Sequence, residues 1–292
     1  MRRLSVYGRV LASLSCVSVM LAASSAAAGP AARRAADPAP RAHAAVIGGR
    51  AATPGTFPWL ALVQRDVSGG QEGVLCTGAV IAPNAVLTAA HCLVNPTTHA
   101  GYPPSDFEVG TGAVDVHDRT LRVSRVSALA VYPARNYYGD AAVLILASPT
   151  KAPALPLATP ADSRYLQPGT GALIAGWGET YDGEPNGSGG KLNWGVLAVQ
   201  SPQYCQGQVK EDDLEGFDAG EQLCAVDPKF KTTECFGDSG GPLIVEPTRS
   251  TVLDIGIDSV GGPSCKPAQA SYFTRVDFVE PWVKSVLAEV SR

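Results

Sequence analysis

The sequence predicts an all-β protein closed by one C-terminal α-helix. Three observations carry that expectation. The chain of 292 residues holds 31 Gly and 23 Pro, residues that make turns and break long helices. Short apolar runs rich in β-formers recur between those turn signals. One amphipathic stretch, at the C-terminal end, has the helical period. With 45% hydrophobic and 17% charged residues, the chain is too apolar for disorder. Its glycines lack the every-third-residue period of a collagen. The length allows one large domain or two smaller ones, either able to bury a substantial core.

Taken in order, Trp59–Val63, Ala79–Ile81, Leu121–Val126 and Ala142–Leu146 read as strands, followed by Ala172–Ala175, Leu243–Val245 and Leu253–Ile257. Pro- and Gly-rich loops such as Asp182–Gly190 separate them. The Pro-rich stretch Leu146–Pro160 is the best internal boundary. After Asp277, Val279, Trp282, Val283, Val286, Leu287 and Val290 fall on one helical face. No long-period internal repeat is present.

The N-terminus reads as an export leader rather than as structure. Arg2, Arg3 and Arg9 precede an apolar run from Val10 to Ala28 that ends in the small residues Ser24–Ala28. Serines interrupt that run, which argues against a membrane anchor. Residues 29–45 are rich in Ala, Pro and Arg without any period, as a short pro-segment would be. Residues 1–45 hold six Arg against one Asp, +5; with the whole chain at −4, residues 46–292 carry −9. So acidic a chain is a poor partner for nucleic acid or an anionic membrane. Once Cys16 leaves with the leader, six of the seven cysteines remain. An even count in an exported chain points to disulfides, with many pairings open. The cysteines lack C-x-x-C spacing and histidine is scarce, so no metal site and no cofactor is expected.

Three segments carry chemistry. Thr88-Ala89-Ala90-His91-Cys92 follows a strand-like run. Tyr138-Gly139-Asp140 opens the apolar strand Ala142–Leu146. Gly237-Asp238-Ser239-Gly240-Gly241-Pro242 surrounds a serine with glycines. A serine hydroxyl is a weak nucleophile that needs a base, and the base needs a group to orient it. His91 and Asp140 are the residue types for those roles. Glycines around Ser239 let backbone N–H groups reach a developing oxyanion.

In the order His, Asp, Ser, these segments resemble the trypsin/chymotrypsin-like serine peptidases. The resemblance runs from Val46 to about Ala288 and includes Gly176-Trp177-Gly178 and Tyr272-Phe273-Thr274-Arg275-Val276. It implies two six-stranded antiparallel β-barrels, barrel one at about 46–155 and barrel two at about 156–292. The full organisation would be a signal peptide (1–28), a pro-segment (29–45) and a peptidase domain (46–292). By the same resemblance His91 is general base, Asp140 orients it, and Ser239 attacks. The N–H groups of Gly237 and Ser239 form the oxyanion hole, and Ser259 supports Asp140. The family's disulfides map to Cys76–Cys92, Cys205–Cys224 and Cys235–Cys265. Polypeptides would be the substrates, with an activating peptidase and protein inhibitors as further partners. A secreted monomer is the family norm.

Val46-Ile47-Gly48-Gly49 resembles the family's mature N-terminus, whose ammonium would pair with Asp238. The chain departs from the family at the cut. Ala44-Ala45 precede Val46 where Arg or Lys is common, and Arg41 lies four residues upstream. An activator that cuts after small residues is therefore expected. The specificity pocket departs as well. Thr233 stands where trypsin-like members have Asp. Glu234 and Asp258 add unusual acids, Gly261 leaves the entrance open, and Ser271 replaces a glycine. Two acids at one small pocket repel unless a proton or a cation neutralises them. The leading expectation is a preference for Lys or Arg through relocated acids. The alternatives are a small or polar pocket built on Thr233, cleavage after aromatics, a non-catalytic binding module, or an esterase. The esterase reading lacks G-x-S-x-G. Asp115 and Asp118 lack the carboxylate company of a calcium loop. Asn186-Gly187-Ser188 is a glycosylation sequon.

Overall fold

The computed structural model describes residues 46–65, 75–133, 139–181, 190–210, 216–248, 250–262 and 264–290. The expected signal peptide (1–28), the expected pro-segment (29–45) and the Asn186 sequon lie outside the described residues.

Strands β2 (Leu60–Arg65), β3 (Leu75–Ala82), β4 (Ala85–Thr88), β5 (Phe107–Thr111), β6 (Arg122–Val131) and β7 (Ala142–Leu146) close one antiparallel barrel in the order β2-β3-β4-β7-β6-β5. Strands β8 (Gly171–Gly176), β9 (Asn193–Val199), β10 (Gln222–Val226), β11 (Pro242–Thr248), β12 (Thr251–Val260) and β13 (Ser271–Arg275) form the second. Their order is β9-β10-β13-β12-β11-β8, and a β8–β9 pairing closes the ring. The short β1 (Arg50–Ala51) pairs with β9 and so belongs to the second barrel, although it precedes the first in sequence. Two six-stranded barrels and a terminal helix are the architecture expected above.

Both β4 and β7 are buried along their whole length, which is why they read as unbroken apolar runs. Leu87, Leu144, Phe107, Phe273 and Leu243 fill the barrel interiors, each contributing about 1.5–3 kcal/mol by leaving water. The chain changes barrels at Leu155–Ala158. Leu155 N–H donates to Val80 O at 2.8 Å in the first barrel, and Ala158 N–H donates to Asp254 O at 2.8 Å in the second.

All seven predicted strands fall within or overlap observed ones, and helix α2 (Val276–Val290) buries Val279, Val283 and Val286 as its period requires. Tyr132, beyond β6, packs edge-on against Phe278 and Trp282 of α2. A second helix, α1 (Pro202–Gln208), was not anticipated. Three glutamines and a glycine conceal it, but Ser201 caps it by accepting from Tyr204 N–H at 3.1 Å. Pro202 starts it and Cys205 ties it to β10 through Cys224. Among the described residues no helix is long and apolar enough to cross a membrane.

Candidate active site

His91 sits on a single 3-10 turn, Ala90–Cys92, directly after β4. Asp140 lies two residues before β7, the strand paired with β4, so the register of these two strands brings the residues together. The His91 ring meets Asp140 Oδ2 through Nδ1 at 2.7 Å, and the His91 backbone N–H donates to Oδ1 at 2.9 Å. Ser259 Oγ donates to Oδ2 at 2.7 Å. Three donors thus fix a buried carboxylate.

The energetics follow from that arrangement. Burial alone raises the Asp140 pKa, but the His91 charge and the hydrogen bonds from His91 and Ser259 outweigh it. The net position of Asp140 is below the ordinary carboxylate range. Burial likewise lowers His91, and the Asp140 charge and hydrogen bond outweigh it, leaving His91 above its ordinary value. The pair is poised to hold an imidazolium once His91 takes up a proton.

Ser239 follows the buried Asp238 in the loop before β11. Its carbonyl accepts from Thr77 N–H of the first barrel at 2.9 Å. Gly240 N–H donates to Asp258 O at 2.7 Å and Asp258 N–H to Gly241 O at 2.8 Å, which ties the loop to β12. Gly240 has φ +81°, and a Cβ there would stand 2.1 Å from Thr88 Oγ1, so both backbone and space demand glycine. Gly237 has φ +101°. Neither Gly237 N–H nor Ser239 N–H is taken by an acceptor among the described residues, as an oxyanion hole requires. His91 and Ser239 line one cleft of about 410 Å³. Among the described residues the Ser239 hydroxyl makes no hydrogen bond to His91; such contacts are commonly long before substrate binds.

The Asp238 carboxylate points away from this cleft. Oδ1 accepts from Gly178 N–H at 2.9 Å and Oδ2 from Cys235 N–H at 3.1 Å. A Cβ on Gly176 or Gly178 would come within 2.2 Å or 2.7 Å of Asp238 Oδ1, so both glycines of the Gly-Trp-Gly segment make room for this acid. Burial pushes Asp238 up to about 7, with the nearby Glu234 charge adding to it against the two backbone donors. The Val46 side chain is fully buried in the core, and Ile47 forms a β-bridge with Thr233. Val46 holds φ +58°, a costly conformation for a β-branched residue.

The pocket wall brings Glu234, Asp258, Ser259 and Gly261 together on the cleft, but neither Thr233 nor Ser271. The Glu234 carboxylate lies over both: Thr233 Oγ1 donates to Oε2 at 2.6 Å, and Ser271 Oγ donates to the same oxygen. The floor of the pocket is therefore Glu234, with Thr233 beneath it. A β-bulge between Asp258 and Val260 lets the successive residues Asp258 and Ser259 both reach the cleft. Asp258 is buried, and among the described residues its Oδ1 has no hydrogen-bond partner. Burial and the charges of Glu234, Asp238 and Asp140 hold its pKa well above the usual range.

Sequence reasoning missed the outer rim. Val94, Pro96, Tyr102 and Phe236 also line the cleft, and Phe236 is 58% exposed. Its place next to Gly237 was the available signal. The Arg65 guanidinium stacks 3.8 Å over the Tyr102 ring. Cys76–Cys92, Cys205–Cys224 and Cys235–Cys265 are bonded as expected. Cys76, His91 and Cys92 cluster closely, but the two sulfurs are spent on each other and offer no thiolate to a metal. Asp115 and Asp118 each accept from a local backbone N–H.

Two closed β-barrels, and a histidine on a buried aspartate that shares one cleft with a glycine-flanked serine, define the trypsin class of protein. The trypsin family profile matches residues 46–283, and the chain belongs to that family. It is 32% identical over 237 residues to a trypsin of Saccharopolyspora erythraea, covering 79% of this chain and 93% of that protein. It is 29% identical over 252 residues to sheep mast cell protease 2, covering 84% and 91%. To human serine protease 56 it is 29% identical over 255 residues, covering 86% of this chain but 40% of that protein. The chain thus spans two fifths of that relative's length.

Proposed function

We propose that this chain is a secreted serine endopeptidase that cleaves polypeptides after basic residues and is made as an inactive precursor. The observation that carries the reading is the His91–Asp140–Ser259 array, with a buried carboxylate and a half-exposed imidazole, opening on the cleft that Ser239 shares. Ser239 Oγ attacks the scissile carbonyl carbon while His91 Nε2 takes its proton. The carbonyl oxygen becomes an oxyanion held by the N–H groups of Gly237 and Ser239. Collapse breaks the C–N bond, and His91 gives its proton to the leaving amine. Water then enters, activated by His91, and releases the acyl group and the serine. Asp140 keeps Nδ1 protonated and stabilises the imidazolium throughout.

Glu234 supplies the negative floor that selects a cation. The leader composition supports export, and three disulfides suit an oxidising compartment. Activation by a cut between Ala45 and Val46 is supported by the strained φ of Val46, which that cut abolishes. The new ammonium is the natural partner for Asp238, which among the described residues has no cationic partner. The test is hydrolysis of peptides that differ only before the cut, using protein that begins at Val46, with Ser239→Ala as control. Cleavage after Lys or Arg, lost in the control, supports the reading. Cleavage after Ala alone contradicts the basic preference, and silence from folded protein contradicts the peptidase. N-terminal sequencing of the natural protein should begin at Val46; a start at Ala42 contradicts the activation step.

A further inference from the structure

We infer that Arg65 selects an acidic side chain on the leaving-group side of the cut, at the second or third residue after it. This rests on the peptidase reading above but not on its basic preference. Arg65 ends β2 and is half-buried. Among the described residues its guanidinium meets no carboxylate, and its Nε is buried without a hydrogen-bond partner. What holds it is the Tyr102 ring, over which it stacks at 3.8 Å. Tyr102 is fixed in turn. Its N–H donates at 2.9 Å to the carbonyl of Leu93, just past His91 and Cys92, and its ring packs against Phe107. Tyr102 also lines the cleft that His91 and Ser239 share. An uncommitted cation thus stands on a fixed aromatic platform at the first-barrel end of the cleft. An unpaired, partly desolvated guanidinium is costly and calls for an anionic acceptor. Its planar fork suits a carboxylate, whose two oxygens it can meet at once.

The strand register gives the distance. Thr77 N–H holds Ser239 O, and Thr77 stands opposite Leu62 in the β2–β3 pair. Arg65 lies three residues further along β2, about 10 Å at the rise of a β-strand. An extended substrate covers that span in about three residues. The direction is set by the two flanks of Ser239. β12, which carries the Asp258 and Gly261 wall, is bonded to the Gly240–Gly241 flank. Leu75, opposite Gln64, lies by the other flank, 3.5 Å from where a Cβ on Gly237 would be. A substrate whose residue before the cut enters the pocket at that wall therefore runs its leaving segment past Leu75 toward Arg65.

The experiment measures kcat/KM for peptides that share every residue up to the cut and carry Glu, Ala or Lys at the second or third residue after it. The series is run with Lys and again with Ala before the cut, so a failure of the basic preference shows separately. Covalent labelling of Ser239 counts active sites, so rates refer to folded enzyme. The expected order is Glu above Ala above Lys, with Glu over Ala by about fivefold, the upper range for an exposed ion pair. Added salt should narrow that ratio. Arg65→Gln should bring the Glu:Ala ratio close to one. Arg65→Lys keeps the charge without the fork and should hold part of the preference. Equal rates for the Glu and Ala peptides in the wild type overturn this inference while leaving the peptidase reading standing. So does a Glu preference that Arg65→Gln leaves intact, or a loss in that variant shared equally by all the peptides, which would make Arg65 a structural prop alone. Folded protein that takes no label at Ser239 and cleaves no peptide overturns the peptidase reading, and this inference with it.

Discussion

Replacing Gly261 by Ala should disable the charge-selecting floor without touching the catalytic residues. An ideal Cβ at Gly261 stands 1.8 Å from Glu234 Oε1, against 3.4 Å for the near edge of ordinary contact, so the carboxylate must retreat by 1.6 Å. Glu234 is held by Thr233 and Ser271, and each hydrogen bond to a charged group is worth about 1.5–3 kcal/mol. Retreat breaks at least one of them. The variant should therefore be less stable by about 1.5–3 kcal/mol, read as a lower urea midpoint. Losing the ion pair to a bound cation costs about 2 kcal/mol or more, roughly 30-fold in kcat/KM for the Lys peptide. A peptide with Ala before the cut has no charge to lose and should be affected far less. The assay compares the two peptides on enzyme counted by Ser239 labelling. An unchanged Lys:Ala ratio in folded Gly261→Ala protein would refute the placement of Glu234 as the selecting acid.

Other predictions concern the triad, activation and a disulfide. Because His91 sits above its ordinary value, kcat/KM should fall as pH drops, with a midpoint above 6.5; a midpoint below it contradicts the Asp140 pairing. Ser259→Ala removes a 2.7 Å hydrogen bond to Asp140 and should lower kcat by roughly 10- to 100-fold, the worth of about 1.5–3 kcal/mol. It should also move the acid limb of the pH profile, which a loss of packing alone would not. Asp238 is raised from 3.8 to about 7 in the uncut chain, so between those values the folded form holds a proton that the unfolded form lacks. Stability of the precursor should then decline as pH rises through that window, by about 4 kcal/mol from this group. Asp238→Asn should flatten the slope, as should processing at Val46, and a precursor whose stability rises over the same range would contradict it. Replacing both Cys205 and Cys224 by Ala should cost about 2–4 kcal/mol by freeing the unfolded chain while sparing catalysis; a large loss of kcat at full occupancy would be unexpected.

The strands that could be read from sequence were those with unbroken apolar runs, because burial on both sides leaves no polar residues to confuse the pattern. β7 is the clearest case, with all five residues buried. β10 is equally buried, but it opens with Gln222 and carries Cys224, which hide it. β9 alternates buried with less buried residues and carries Gly195 as its third residue. The helix α1 depends on a cap and a disulfide partner rather than on an apolar face. The residues proposed as catalytic stood out in the sequence because their chemistry demands particular residue types beside particular glycines. The pocket was less so. Thr233, placed at the base by position along the chain, is covered by its own neighbour, since Glu234 folds back to accept from Thr233 and Ser271. No linear pattern encodes that a side chain will turn inward, and only the missing Cβ at Gly261 permits it. The exposed rim residue Phe236 left no periodic signal either.

The most direct test of the central claim is covalent labelling of protein beginning at Val46 with a serine-directed fluorophosphonate at mildly alkaline pH, read by peptide mass. One adduct on the peptide containing Ser239, absent in His91→Ala and lost on acidification through the His91 midpoint, is the predicted result. A folded protein that takes no label at Ser239 and cleaves no peptide would contradict the account.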